Sequence, residues 1–415
     1  MIRLLIIADD FTGALDTGVQ FAACGASTRV ITNRNASLAD YKSEAEVLVV
    51  DAETRHLPAA EAYTYVSGIV TQAIELRIPH IFKKTDSALR GNIGAELTAL
   101  LEASGETQLP FLPAFPQMNR CTVDGVHYIA GVPVAESVFG KDPFEPVTHS
   151  KLSDVIALQS TTAVTACSLK DPVPESTGIL VFDASSVEDL SSRAQQLHEK
   201  GKLHIMAGCA GFGAVLPELL NIGTGKALPL PELDPNFLVI CGSVNPITVA
   251  QCNHAEKEDF LRIRLTPEQK LAPGYWGSTQ GEQEFQNLQA HLSTHRCRII
   301  DTNDAGSNKP TSDYAEANNM TIEDVRQAVS RSIGYLVSRL FPDPDLGTLL
   351  VTGGDTLLQC MDYMGIREIE PLGEMDRGVV LSRFSYHGYT RYVISKSGGF
   401  GKETLFTDLA KRIAP

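Results

Sequence analysis

Positive charge is scarce in this chain: 35 lysines and arginines stand against 50 aspartates and glutamates, a formal net charge of −15 over 415 residues. Nucleic acid and anionic membranes both reward Lys and Arg, so this balance argues against either as a partner. It leaves room for an anionic small molecule, which needs only a local basic pocket. The eight cysteines include no CxxC pair, and most sit among apolar neighbours, as reduced thiols in a cytosolic protein do. No apolar run approaches transmembrane length, and no charged-then-apolar signal opens the chain, so the expected setting is the cytoplasm. Tandem repeats and low-complexity tracts are missing too. What remains is a globular composition, 43% hydrophobic and 7% aromatic. The length exceeds one ordinary core and predicts two domains.

The chain opens on an unbroken apolar run, Leu4-Leu5-Ile6-Ile7-Ala8, which reads as a strand buried on both faces. Asp9 and Asp10 follow where that strand ends, and Thr12-Gly13 begins a helical pattern. Ligands in open α/β sheets bind beyond the carboxyl ends of strands, whereas acidic residues also suit a helix N-terminus; both readings stand for the pair. Further strands are expected at 28–32, 46–51, 78–84, 178–184 and 204–207, with helices at 12–23, 59–76 and 93–103. Pro79 fits only at the start of its strand. Residues 112–120 read as a strand end running into an irregular, proline-stiffened loop, and 126–129 with 132–134 as a hairpin. Gly208, Gly211 and Gly213 lack GxGxxG spacing and read as close helix packing. The proline-bearing stretch 221–235 is the expected boundary, giving domains 1–228 and 236–415. Beyond it come a strand from Phe237, a polar segment over 265–319 with an uninterpreted surface excursion near 301–312, a helix at 322–340, and strands at 346–352 and 391–396. The fold class is α/β: two α/β domains with mainly parallel sheets flanked by helices, and the active site in the cleft between them.

The densest polar cluster, Lys83-Lys84-Thr85-Asp86-Ser87 with Arg90, directly follows an apolar strand. Ammonium groups, a guanidinium, hydroxyls and a carboxylate so close together suit a small carboxylate or phosphate ligand. Arg55 and His56 follow the third strand and reach the same sheet edge; His56 reads as an ordinary loop histidine. The second half carries three small-residue turns after strands: Gly242-Ser243, Gly353-Gly354-Asp355-Thr356, and Gly398-Gly399-Phe400-Gly401. Glycine there lets backbone N–H groups approach phosphate oxygens, and three such turns indicate a nucleotide site. Gly401-Lys402 mimics the end of a Walker A loop, but Lys396 stands where its first glycine belongs and Glu403 where Ser or Thr belongs, so this is not a P-loop. A dehydrogenase would want three glycines after the first strand, where this chain has one. A non-catalytic protein that only senses a small anion would not need three phosphate turns.

Ile7-Ala8-Asp9-Asp10-Phe11-Thr12-Gly13-Ala14, Lys83 to Ser87 with Arg90-Gly91-Asn92, Gly353 to Thr356 and Ser397 to Gly401 together resemble the four-carbon acid sugar kinase family, in order and spacing over essentially the whole chain. Where that family carries a Pro-Gly-Val-Pro-like turn, this chain has Asp376-Arg377-Gly378-Val379-Val380. The resemblance implies ATP-dependent phosphorylation of a terminal hydroxyl, with D-threonate as acceptor and L-threonate, erythronate or a 3-oxo-tetronate as alternatives. It implies an acid-sugar-binding first domain, holding the acid through Asp9, Arg55, Lys83, Lys84, Thr85, Asp86 and Arg90. It implies an ATP-binding second domain, using Ser243, Gly353, Gly354, Asp355, Thr356 and Gly399. Asp9 or Asp86 would take the hydroxyl proton, and Mg²⁺ would accompany ATP with ligands the sequence does not identify. The partners expected are thus the sugar acid and ATP, with a homo-oligomer left open.

Overall fold

Short apolar runs alternate with longer amphipathic stretches in the first part of the chain, and each becomes the element that its period demands. In the computed structural model, which describes residues 1–41, 45–142, 145–343 and 346–414, two compact units are distinguished, Met1–Leu228 and Pro229–Pro415.

The first unit contains β1 (Leu4–Ala8), α1 (Phe11–Ala22), β2 (Thr28–Ile31), β3 (Val47–Asp51), α2 (Ala59–Glu75), β4 (His80–Lys84), α3 (Ile93–Ser104) and β5 (Gln108–Leu112). After these come β6 (Arg120–Val123), β7 (Val126–Ile129), β8 (Val132–Pro133), α4 (Leu152–Ala157), β9 (Val164–Cys167), β10 (Gly178–Phe182), α5 (Val187–Glu199) and β11 (Ile205–Gly208), closed by the short α6 (Ala210–Gly213) and α7 (Leu216–Leu219). Its sheet runs β2-β3-β1-β4-β11-β5-β10-β9 with every pair parallel. Helical crossovers cover both faces of such a sheet, which is why β1 and β3 bury every residue. One face packs Leu5, Ile7, Leu48 and Ile81 against Val66 and Ile69 of α2 and Leu97 and Leu100 of α3. On the other, Phe82 meets Phe212 edge to face. The hairpin expected over 126–134 is β7–β8, and a third strand joins it: β6 begins at Arg120, where only irregular loop was expected, and pairs antiparallel with β7. The glycines after β11 are packing positions, as read from their spacing. A Cβ on Gly208 would lie 2.4 Å from the Leu112 carbonyl oxygen and one on Gly211 2.6 Å from that of Ala114.

The second unit contains β12 (Phe237–Cys241), α8 (Pro246–Lys257), β13 (Leu261–Arg264), α9 (Pro267–Leu271), α10 (Thr279–Leu292), β14 (Cys297–Asp301), α11 (Lys309–Ala317) and α12 (Ile322–Leu340). It continues with β15 (Thr348–Thr352), α13 (Gly354–Tyr363), β16 (Glu368–Asp376), β17 (Val379–Tyr386), β18 (Tyr389–Lys396) and α14 (Leu405–Ile413). Strands β13-β14-β12-β15-β18 are parallel; β17 and β16 then continue the sheet as an antiparallel meander. The polar segment over 265–319 is more ordered than its composition suggests. It holds α9, α10 and α11 and the buried strand β14, whose sequence Cys297-Arg298-Ile299-Ile300-Asp301 is flanked by charge and hides its apolar centre. The divergent stretch Asp376–Val380 is the tight turn between β16 and β17, with Gly378 at φ +66°.

Candidate active site

In the first unit, parallel pairing brings the carboxyl ends of β1, β3, β4 and β11 to one sheet edge, so the residues that follow them meet. Asp9 and Asp10 take different parts. Asp10 is the N-cap of α1, its Oδ1 accepting from the Gly13 amide at 2.9 Å, and its Oδ2 lies 2.8 Å from Arg55 Nη1. Asp9 is 2% exposed; its Oδ2 accepts from Arg55 Nε at 2.8 Å and lies 2.7 Å from Nη2, while its buried Oδ1 has no hydrogen-bond partner among the described residues. Burial pushes the Asp9 carboxyl up, but Arg55, Lys84 and Lys83 outweigh it and hold its pKa below the ordinary value.

Strand alternation separates the two lysines, since neighbouring residues point to opposite faces. Lys83 shares its face with Ile81 and turns toward α3, where its ammonium, 0% exposed, sits 3.1 Å from Glu96 Oε2. Glu96 also accepts from the Thr54 hydroxyl. Lys84 shares its face with Phe82 and reaches the start of α1, where a Cβ on Gly13 would lie 2.5 Å from its Nζ. The Thr85 hydroxyl donates to the Gly208 carbonyl at 3.3 Å.

Asp86 is fully engaged. Its carboxylate accepts from Arg90 Nε at 2.8 Å and Nη2 at 3.1 Å, and from the Ala88 and Arg90 amides. Burial opposes its charge, but Arg90 and Arg55 prevail and hold its pKa well below the usual range. Arg90 also reaches Asp142 at 3.4 Å. His56, read as a loop histidine, lies 3.0 Å from Glu145. Both line a cavity of about 320 Å³ with Arg55, Arg90 and Asn92.

Several participants carry no local sequence signal. Arg120 reaches the Ser87 hydroxyl from β6. The Phe139 ring has the Arg90 and Arg120 guanidiniums at 5.3 and 5.2 Å from its centroid. His127, buried on β7, donates from Nε2 to the Ser87 carbonyl at 3.0 Å, and its Nδ1 lies 3.1 Å from the Thr122 hydroxyl. Burial lowers its pKa to about 4, so it is the neutral ring that braces Ser87.

In the second unit, the three expected turns follow the adjacent parallel strands β12, β15 and β18 and touch one another. A Cβ on Gly242 would lie 2.1 Å from Thr356 Oγ1, and one on Gly398 2.6 Å from Ser243 Oγ. Gly353 precedes α13 at φ +94°, a conformation L side chains rarely adopt. Lys396, buried beneath the last turn, donates to Thr248 Oγ1 at 2.9 Å and to the Ser397 and Gly398 carbonyls at 3.0 and 3.1 Å. Burial lowers its pKa to about 8. Gln251 binds the Phe400 and Lys402 carbonyls at 3.0 and 2.9 Å. Asp355 is ion-paired with Arg326 of α12, which sequence reasoning did not single out. Bare glycines, the Ser243 hydroxyl and the start of α13 make a cradle suited to phosphate oxygens.

A family model described as a sugar-binding N-terminal domain matches residues 4–216, and one described as a nucleotide-binding C-terminal domain matches residues 238–406. A D-threonate kinase of Salmonella typhimurium is 30% identical, over 98% of this chain and 97% of its own length. A D-erythronate kinase of Heliobacterium modesticaldum is 24% identical, over 90% of this chain and 88% of its own. A Salmonella typhimurium protein, whose crystal structure was given a provisional tRNA synthase name, has a TM-score of 0.80 at 20% identity, covering 99% of this chain and 100% of that one. At that identity the likeness speaks to the fold alone.

Proposed function

The chain belongs to the four-carbon acid sugar kinase family, and on that premise we propose that it transfers the γ-phosphoryl group of ATP to the terminal hydroxyl of D-threonate, giving 4-phospho-D-threonate and ADP. The first unit binds the acid and the second binds ATP, a division supported by the descriptions of the two matching family models.

The observation that carries the mechanism is the asymmetry of Asp9. Its Oδ2 is anchored by Arg55, its Oδ1 is buried and unpartnered, and neighbouring cations keep it ionised. Asp9 Oδ1 is thus the proton acceptor for the attacking hydroxyl. As that oxygen bonds to the γ-phosphorus, its proton passes to Asp9 and the bond to the β–γ bridging oxygen breaks. Asp86 has no such free oxygen and serves to hold Arg90 over the acid. Lys84, Thr85 and Arg90 contact the acid, with Arg55 fixing the base. Lys83, consumed by Glu96, stays behind this surface. Ser243, Gly353, Gly354, Thr356 and Gly399 hold ATP phosphates through hydroxyl and backbone groups, and the Asp355–Arg326 pair borders them.

Mg²⁺ would be held chiefly by ATP itself and would offset the charge on its phosphates. Among the described residues, the one grouping of metal-ligating type is Cys241, Cys252 and Asp301, all buried. Two thiols, with Arg262 Nε 2.9 Å from the carboxylate, do not suit a hard oxygen-seeking cation, and no step runs through it. The eight unpaired thiols suit a reducing compartment and support a cytoplasmic setting.

The test is ADP release by the purified protein with Mg²⁺ and ATP over D- and L-threonate, D- and L-erythronate and their 3-oxo forms. Release with D-threonate above the rest is expected. Release with another acid moves the substrate and keeps the reaction; silence with every acid overturns the reading.

A further inference from the structure

Resting on that reading, we propose that Arg120, with Lys84, binds the carboxylate of the sugar acid and so selects acids over uncharged sugars. The charges around Asp9 sort into pairs. Arg55 lies against Asp9 and Asp10 at 2.7–2.8 Å, and Arg90 against Asp86 and Asp142 at 2.8 and 3.4 Å. Lys83 is taken by Glu96 at 3.1 Å. Two further cations, Lys84 and Arg120, make no such direct pair. Among the described residues, neither Lys84 Nζ nor the Arg120 guanidinium has a carboxylate oxygen within 4.0 Å. The hydrogen bond shown for the Arg120 side chain goes to the neutral Ser87 hydroxyl, although a guanidinium offers five donors.

These two cations converge. Lys84 pairs with Gly208, next to Cys209, whose thiol reaches the Pro113 and Ala114 carbonyls beside the Phe115 that bonds Arg120. Lys84 pairs with Ala8, next to Asp9, and Arg120 reaches Ser87, next to Asp86, so the space they share adjoins the proton acceptor. Arg55 and Arg90, with their carboxylates, are held above the usual guanidinium value, whereas burial holds Arg120 below it. A buried guanidinium in no direct ion pair keeps donors to spare, and an arriving carboxylate can meet them.

Arg120 is also held firmly. Its amide and carbonyl both bond to Phe115, at 3.1 and 2.7 Å, its strand pairs with β7, and Phe139 lies under its guanidinium. A planar fork fixed in this way suits a carboxylate bound through two oxygens better than an ammonium does.

Steady-state kinetics of Arg120→Gln, Arg120→Lys and Ser87→Ala test this. Arg120→Gln is expected to raise KM for the acid roughly 30-fold or more, with KM for ATP unchanged and kcat little altered. Arg120→Lys keeps the charge but loses the fork, and is expected to raise KM for the acid by roughly 5-fold. Ser87→Ala removes the hydroxyl that Arg120 touches and is expected to change KM for the acid less than either. A KM for the acid that stays near wild type in Arg120→Gln overturns the proposal. So does an equal rise in Ser87→Ala, which would mean that Arg120 acts only by bracing Ser87. Should Arg120→Gln not fold, an unchanged KM in Arg120→Lys overturns it as well. These failures leave the wild type active, whereas failure of the kinase reading shows as a silent wild type and takes the inference with it.

Discussion

Around Asp9, the polar groups are side chains carrying full charge, locked by one another: Arg55 among Asp9, Asp10 and Asp86, Arg90 between Asp86 and Asp142, Lys83 against Glu96. At the turns of the second unit, the chain instead withdraws its side chains. Gly242 and Gly398 leave no room for a Cβ, Gly353 takes up a backbone conformation suited to glycine, and Lys396, Thr248 and Gln251 hold carbonyls from below. A site of the first kind is broken by changing a charge, because each member keeps another one oriented and ionised. A site of the second kind is broken by adding volume, because what it offers is backbone.

The largest expected effect belongs to the first kind. Asp9→Asn keeps the shape and removes the proton acceptor, so kcat is expected to fall by about a thousandfold with KM for ATP little changed. Near-normal turnover would remove Asp9 from that role. Next comes the buried pair behind the site. Glu96→Gln leaves the Lys83 ammonium with no counter-charge at 0% exposure and is expected to cost about 3 kcal/mol in urea unfolding. Lys83→Met should cost less. Burial already raises the Glu96 pKa against the pull of Lys83, so the orphaned carboxyl can take up a proton. Equal losses from the two variants would contradict that asymmetry.

A pH-dependent effect follows from His127. Its pKa is about 4 in the fold against an ordinary 6.5, so the unfolded chain protonates first as the pH falls. The stabilisation is complete above about 6.5 and is lost progressively down to about 4; between pH 7.5 and pH 5 it amounts to about 2 kcal/mol. His127→Gln should flatten the pH dependence of stability over that range. An unchanged slope would show that the histidine titrates normally and does not brace Ser87 as a neutral ring.

The same contrast explains what could be read from the chain itself. Periodicity marks β1, α1, α2 and α12 because each buries one regular set of apolar positions, and Asp9-Asp10, Lys83 to Arg90 and Gly353 to Thr356 are each a short contiguous run at a strand end. Arg120, Glu96 and Lys396 gave no such signal. Arg120 arrives through an antiparallel meander, Glu96 lies within a helix whose pattern announces only packing, and Lys396 looked merely like a residue out of place for a P-loop. Lys83 and Lys84 are adjacent, and reading them as one pocket overlooked that a strand sends neighbours to opposite faces. Residues 265–319 misled because β14 is a strand with arginine and aspartate inside it, both buried and partnered: Arg298 by the Leu292 and Leu346 carbonyls, Asp301 by Arg262.

The smallest expected effect probes the second kind of site. In Gly398→Ala the new methyl would lie 2.6 Å from Ser243 Oγ, too close for both to stay. The backbone of residue 398 cannot easily yield, because its carbonyl accepts from Thr248 Oγ1 at 2.8 Å and Lys396 Nζ at 3.1 Å. The Ser243 hydroxyl must therefore move, giving up its bond to the Asn245 amide and its place beside the phosphates. KM for ATP is expected to rise roughly tenfold, with KM for the acid unchanged. Ser243→Ala removes the colliding oxygen and leaves its Cβ at 3.7 Å, an ordinary contact, while the Asn245 Cβ at 3.2 Å need give by only a few tenths of an ångström. The double variant Gly398→Ala/Ser243→Ala should accordingly bind ATP no worse than Ser243→Ala alone. If the two losses add instead, the methyl harms ATP binding by some route other than Ser243, and the crowding of these turns is not what shapes the site.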